Sequence, residues 1–136
     1  MSAPDRKPWW RRWLGSRSER AAARFLRSQG WSILRRNYSC PHGEIDLIAL
    51  DGPCVVFVEV RSTGSQDEQR PATSVDQIKQ RRLTKLALHF LQQYRLLDQA
   101  ARFDVLTVVW PPCCREPVIT HYRQAFEAVG RFQMYS

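Results

Sequence analysis

Long apolar runs are missing from this chain of 136 residues; none approaches the ~18 apolar residues that a membrane span requires. Cysteine is sparse. Cys40, Cys54, Cys113 and Cys114 include no C-x-x-C pair, and their spacing is unlike a secreted disulfide framework. Cys40 with His42 and the vicinal Cys113–Cys114 could be drawn together as a zinc site, but reduced cytosolic thiols are the better reading. No glycine-rich phosphate loop occurs, and no Ser-His-Asp or Cys-His spacing suggests a nucleophilic enzyme. Arg11-Arg12-Trp13-Leu14 is similar to a twin-arginine export signal. The apolar segment that should follow is replaced by Gly15-Ser16-Arg17-Ser18-Glu19-Arg20. A cytoplasmic protein with no membrane partner is the expectation. There is no internal repeat and no low-complexity tract.

Acidic residues are also short: Asp+Glu number 13 against 21 for Lys+Arg, giving a net charge of +8 and a pI near 9.9. Nearly all the positive charge is arginine, which can fork onto phosphates and stack on bases. So basic a domain attracts polyanions, nucleic acid first among them. A composition 43% hydrophobic and 25% charged is that of an ordinary globular protein, long enough for one core.

Residues 1–17 read as a basic tail carrying Trp9, Trp10 and Trp13, flexible and apart from a single domain over 18–136. Trp9, Trp10 and Trp13 could stack on bases or dock on a partner. A first helix is expected over Ser18–Gln29, with Ser16 or Ser18 as N-cap, Gly30 as stop, and Ala22, Phe25, Leu26 and Gln29 on one face. Trp31–Asn37 is a short strand. Gly43–Leu50 and Cys54–Arg61 are stronger ones, joined by the turn Asp51-Gly52-Pro53. Gly64–Pro71 is a polar loop. Ser74–Leu97 is a long amphipathic helix that should bury Val75, Ile78, Leu83, Leu86, Ala87, Phe90, Leu91 and Tyr94. Arg102–Trp110 is a further strand, Pro117–Tyr122 a weaker one, and the last residues form a short helix. The order α-β-β-β-α-β(-β-α) describes an α/β domain with a mixed central sheet flanked by helices.

The chemistry concentrates in Gly43-Glu44-Ile45-Asp46-Leu47-Ile48 and Val56-Phe57-Val58-Glu59-Val60-Arg61. Strict alternation would put Ile45 and Leu47 on one face, and Glu44, Asp46 and Ile48 on the other. Closing the hairpin at Gly52-Pro53 sets Asp46 opposite Glu59 and Glu44 opposite Arg61. Facing residues lie roughly 4.5–5.5 Å apart at Cβ. Two carboxylates so close ask for a shared proton or a cation, and Mg²⁺ or Mn²⁺ suits hard oxygen donors. The alternative is a hairpin whose acids face solvent or are neutralised by arginines, with Glu44–Arg61 a plain cross-strand ion pair.

These motifs resemble the YraN-type family of small bacterial proteins, which belongs to the PD-(D/E)xK nuclease superfamily on the branch similar to archaeal Holliday-junction resolvases. Arg36-Asn37-Tyr38, Val75-Asp76 to Lys79 with Arg82-Leu83, and Arg102-Phe103-Asp104-Val105 extend the resemblance from about Glu19 to Val108. It implies a restriction-endonuclease-like core. In it Asp46 matches the metal-binding aspartate and Glu59 the acid of the (D/E)xK element. The carbonyl of Val60 and Glu19 on the first helix are implied as further ligands of Mg²⁺ or Mn²⁺. Lys79 matches a helix position near the site. The sequence departs from the pattern at Arg61, which stands where the superfamily has lysine. An arginine does not give up its proton, so it cannot be the general base, but it can stabilise charge on the scissile phosphate.

The expected activity is metal-dependent hydrolysis of phosphodiesters in DNA, branched or junction DNA included, with RNA still open. Asp46, Glu59, Arg61 and Lys79 would be the catalytic set. Arg35, Arg36, Arg81 and Arg82, with Glu44 in a supporting place, would line the nucleic-acid path; Arg81 and Arg82 read equally well as a solvated helix face. His42 could assist phosphate or metal, and His89 reads as structural. A junction resolvase needs two coordinated cuts, which a C2 homodimer would supply. The alternatives are a non-catalytic nucleic-acid-binding module of the same fold and, more distantly, a thiol-based metal or redox protein.

Overall fold

The alternation of apolar residues carries most of the architecture. The structure is a computed structural model that describes residues 9–63, 77–112 and 115–126, with side chains at 17–62, 77–112 and 115–125. Helix α1 (Trp9–Ser28) is followed by strands β1 (Ser32–Cys40), β2 (Gly43–Asp51) and β3 (Cys54–Thr63). Helix α2 (Gln77–Gln93) leads to β4 (Ala101–Val109) and β5 (Val118–Phe126). One sheet holds the five strands in chain order, β3 and β4 parallel and the other neighbours antiparallel. The expected α-β-β-β-α-β order is present with the fifth strand added. The expected helix of the last residues and Val75 lie outside the described residues, as do Cys113 and Cys114.

Each helix covers one face. Ile48, Val55, Phe57, Phe103 and Val105 pack with Leu83, Leu86, Ala87, Phe90 and Leu91 of α2. Leu47, Ala49, Val56, Val58, Leu106 and Val108 pack with Ala21, Ala22, Ala23 and Leu26 of α1. Strand β3 is therefore buried on both sides, as its unbroken run of valines and phenylalanine predicts. Each such side chain contributes about 1.5–3 kcal/mol through burial.

Several sequence expectations need correction. Ile78 is 67% exposed and Tyr94 39% exposed, so neither belongs to the buried face of α2. Gln29 is exposed and lies just past the end of α1, outside its buried face. Helix α1 starts at Trp9, upstream of its expected start. Ser18 is therefore interior to the helix, not its cap; it is fully buried, and its hydroxyl accepts from Trp110 Nε1 at 2.8 Å and lies 2.5 Å from Ser62 Oγ. Side chains of the three upstream tryptophans, and residues 1–8, lie outside the described set.

Both helices end the same way. Gly30 N–H donates to the Arg27 carbonyl (2.9 Å) and Trp31 N–H to the Leu26 carbonyl (3.1 Å). Arg95 N–H donates to the Gln92 carbonyl (3.2 Å) and Leu96 N–H to the Leu91 carbonyl (2.7 Å). This is the Schellman pattern, which requires a left-handed residue after the cap. Gly30 adopts φ 90 without penalty, whereas Arg95 adopts φ 57 with a side chain attached. Trp31 thus belongs to the helix stop, and β1 begins after it.

Replacement of Gly30 by Ala should lower unfolding free energy by about 1 kcal/mol, and Arg95→Gly should raise it by a similar amount. Urea midpoints at unchanged m-value are the check.

Candidate functional site

The hairpin of β2 and β3 follows the expected register up to one point. Asp51 pairs with Cys54, Leu50 with Val55, Ala49 with Val56, Ile48 with Phe57 and Leu47 with Val58. There the paired register ends. The next step would set Asp46 against Glu59; instead the Asp46 carboxylate Oδ2 accepts the Val60 N–H at 2.8 Å. A side chain thus takes a strand N–H that a ladder carbonyl would otherwise hold.

Strand parity slips at the same place. Ile45 packs in the α2-side cluster together with Ile48, while Leu47 between them packs on the α1 side. Strict alternation does not hold, and the shared face expected for Ile45 and Leu47 is not found. On β1, Arg36 pairs with Leu47 and Tyr38 with Ile45, so Asn37 stands opposite Asp46. Asn37 has φ 53, and asparagine is among the residues that tolerate this region. The irregularity in both strands turns Asp46 toward the β3 backbone.

Glu59 alternates with Phe57, so it faces α2, and it is only 8% exposed. A buried carboxylate needs a positive partner. Lys79 Nζ of α2, itself about half exposed, forms an ion pair with Glu59 Oε2. The structure therefore gathers Asp46, Glu59, Val60 and Lys79 around the end of the β2–β3 ladder.

The other expected residues sit further out. Arg61 aligns with Thr107 of β4 and shares the parity of Glu59. Glu44 is exposed and pairs with Ser39 of β1; the β2–β3 ladder ends at Leu47 and Val58, so the expected Glu44–Arg61 facing pair is not part of it. Glu19 is half-buried on α1, one residue after Ser18, whose bond to Ser62 brings the helix beside the far end of β3. Arg35 and Arg36 are both exposed but lie on opposite faces: Arg35 NH2 donates to Tyr94 Oη at 2.8 Å, and Arg36 pairs on the α1 side. Arg81 and Arg82 are exposed on α2. His42 and His89 meet edge to face at 5.7 Å. Among the described residues, no three His, Cys, Asp or Glu side chains cluster as a metal-holding group. Two hard-oxygen carboxylates beside one strand nevertheless suit Mg²⁺ or Mn²⁺, which keep waters and take few protein ligands. Burial pushes the Cys54 thiol up, against the lowering effect of Arg102, so it stays protonated and weakly nucleophilic.

A second polar cluster, on the α1 side, was not anticipated. Asp104 is fully buried in β4. Its carboxylate accepts from Arg102 Nε (3.0 Å) and from the Gln124 N–H (2.9 Å), and His121 Nε2 lies 2.7 Å away. Arg102 NH2 also donates to Asp51 at 2.9 Å, and His121 packs edge to face on Trp31. Phe103 pairs with Phe126 and Val105 with Tyr122, so Arg123, Gln124 and Ala125 bulge opposite Asp104, with Gln124 at φ 50. The cluster pins β5 to the sheet. Burial alone would raise the Asp104 carboxyl, but the bonds from His121, Gln124 and Arg102 outweigh it and hold the group below its ordinary 3.8. The alternating Arg102-x-Asp104 within an apolar strand was the only sequence signal; His121 joins from the β5 ladder, opposite Leu106, and gives none.

A family model described as "Uncharacterised protein family UPF0102" matches residues 18–108, from Ser18 of α1 to the end of β4. The chain belongs to the UPF0102 family. This is the YraN-type family that its motifs resemble. A UPF0102 protein of Rhodopirellula baltica is 42% identical over 125 residues, covering 90% of this chain and 75% of the relative. One from Geobacter metallireducens is 41% identical over 114 residues, 84% of this chain and 92% of the relative. A third, from Moorella thermoacetica, is 46% identical over 98 residues, 72% and 82% of the two chains. Asp46, Glu59, Lys79 and Asp104 all lie in the UPF0102 segment, whereas His121 lies beyond it. No helix among the described residues is long and apolar enough to cross a membrane.

Because the folded Asp104 carboxyl lies below 3.8, its stabilising effect is complete above that pH and drains away as pH falls through the lower folded value. Asp104→Asn should cost about 2–3 kcal/mol at pH 7, because the buried anion on which Arg102 Nε, His121 Nε2 and the Gln124 N–H converge is lost while Arg102 keeps Asp51. Its melting temperature should then fall less steeply than that of the wild type below pH 4, as read by thermal melts from pH 7 to 2.

Proposed function

We propose that this UPF0102 protein is a metal-dependent nuclease of the PD-(D/E)xK, restriction-endonuclease-like type that hydrolyses phosphodiester bonds in DNA, branched DNA included. The observation that carries the reading is Lys79 of α2 lying on Glu59 while Asp46 holds the next backbone N–H. Two carboxylates and an ammonium then surround one stretch of β3, although the usual lysine position is occupied by Arg61.

Asp46 and Glu59, with the Val60 carbonyl and Glu19 from α1, would hold Mg²⁺ or Mn²⁺. Bound there, such an ion would supply Lewis acidity for a water nucleophile and for the leaving oxygen. The chain's own groups do the rest. The Asp46–Val60 bond fixes one carboxylate against the strand. Lys79 is placed to orient water or phosphate beside Glu59. Arg61, on the parity of Glu59, can grip the scissile phosphate as negative charge develops.

Cleavage of labelled linear, single-stranded, flapped and four-way-junction DNA with Mg²⁺ or Mn²⁺ tests this. Cutting by the wild type should fall by roughly 10²–10⁴-fold in Asp46→Ala and Glu59→Ala, and by about 10²-fold in Lys79→Ala. Thermal melts confirm that each variant folds. No wild-type cutting, with salt-sensitive DNA binding intact, would replace the nuclease by the non-catalytic binding module.

A further inference from the structure

The outward face of α2 carries Ile78, Arg81, Arg82 and Lys85, all exposed and at helical spacings of three and four. The seventeen residues of α2 include no Asp or Glu. Among the described residues, Arg81, Arg82 and Lys85 meet no carboxylate. Three cations elsewhere in the fold are engaged: Arg102 and Arg123 on Asp51, Arg102 also on Asp104, and Lys79 on Glu59. The stripe therefore presents unneutralised positive charge beside the buried Glu59.

Among the described residues, Tyr94, His42 and His89 already have ring or cation neighbours. Tyr94 packs on Phe90 at 4.7 Å, and the Arg35 guanidinium lies 5.0 Å from its ring. His42 and His89 pack on each other. Single-strand binding relies on open ring faces on which bases stack. A duplex has its bases already stacked and offers phosphates. From Ile78 to His89 the helix advances about 16 Å at ~1.5 Å per residue, which is close to five base-pair rises of ~3.4 Å.

We propose that this face of α2 is a docking surface for the phosphodiester backbone of duplex nucleic acid, with Arg81, Arg82 and Lys85 as its phosphate contacts. It rests on the nucleic-acid reading above but not on turnover. Helix α1 supplies the control, since Arg20, Arg24 and Arg27 are also exposed and carry the same charge. Each phosphate contact adds about 0.9 to the slope of log K against log salt.

The test is binding of a 20-base-pair DNA duplex, and of one of its strands alone, in EDTA over a salt series. The triple variant Arg81→Ala/Arg82→Ala/Lys85→Ala should bind duplex more than about tenfold more weakly, with a salt slope smaller by about 3. The variant Arg20→Ala/Arg24→Ala/Arg27→Ala should change less than about threefold. Wild type should prefer duplex to single strand. Equal losses in the two variants would overturn the assignment of α2 and leave only net charge. Preference for the single strand would overturn the duplex. Absence of any DNA binding by the wild type would remove this surface and the nucleic-acid reading together. Cutting assays are not involved, so loss of turnover alone leaves the surface standing.

Discussion

The hydrogen bond from the Val60 N–H to the Asp46 carboxylate is the contact on which the candidate site depends. It forms where the β2–β3 ladder stops, and it turns an acidic side chain into a substitute for a strand carbonyl. The left-handed Asn37 on the neighbouring strand and the parity slip between Ile45 and Leu47 belong to the same event. Had the ladder continued, Asp46 and Glu59 would face each other at the distance where like charges repel. Ending it separates their surroundings while keeping both on the same short stretch.

The sheet then divides the chemistry between its faces. Glu59 points to the α2 side and takes Lys79, so the helix that crosses from β3 to β4 both covers the core and supplies the ammonium. On the α1 side, Asp104 ties Arg102, His121 and the bulge of β5 together and is itself buried. One acid is placed at a strand opening beside a half-exposed cation; the other is enclosed and fully hydrogen-bonded. That contrast separates Asp46 and Glu59, as the candidate site, from Asp104, which clamps β5 to the sheet.

Much of this was legible in the sequence. The two-residue turn at Gly52-Pro53 fixed the hairpin register, because antiparallel pairing leaves one alignment once the turn is set. The buried valines of β3 and the glycine stop of α1 were equally plain. What the sequence concealed came from non-local contacts. No pattern marks Asn37 and Asp46 as an irregularity, since each is ordinary in isolation. Ile78 and Tyr94 fit the helical stripe by spacing, yet lie at the ends of α2 where the sheet no longer covers them. Lys79 could be suspected from the family resemblance, but only the packing of α2 on β3 brings it to Glu59. His121 depends on the pairing of β5 with β4, and the Gln124 N–H on a bulge that spacing cannot announce.

The central claim is that Asp46, Glu59 and Val60 form one divalent-cation site, and amide spectra of the labelled protein titrated with Mn²⁺ test it most directly. The account predicts that the amides of Asp46, Glu59 and Val60 broaden first, that excess Mg²⁺ restores them, and that Asp46→Ala abolishes the effect. Broadening confined to another part of the fold, such as the Asp51–Asp104 cluster, or unaltered in Asp46→Ala, would contradict it.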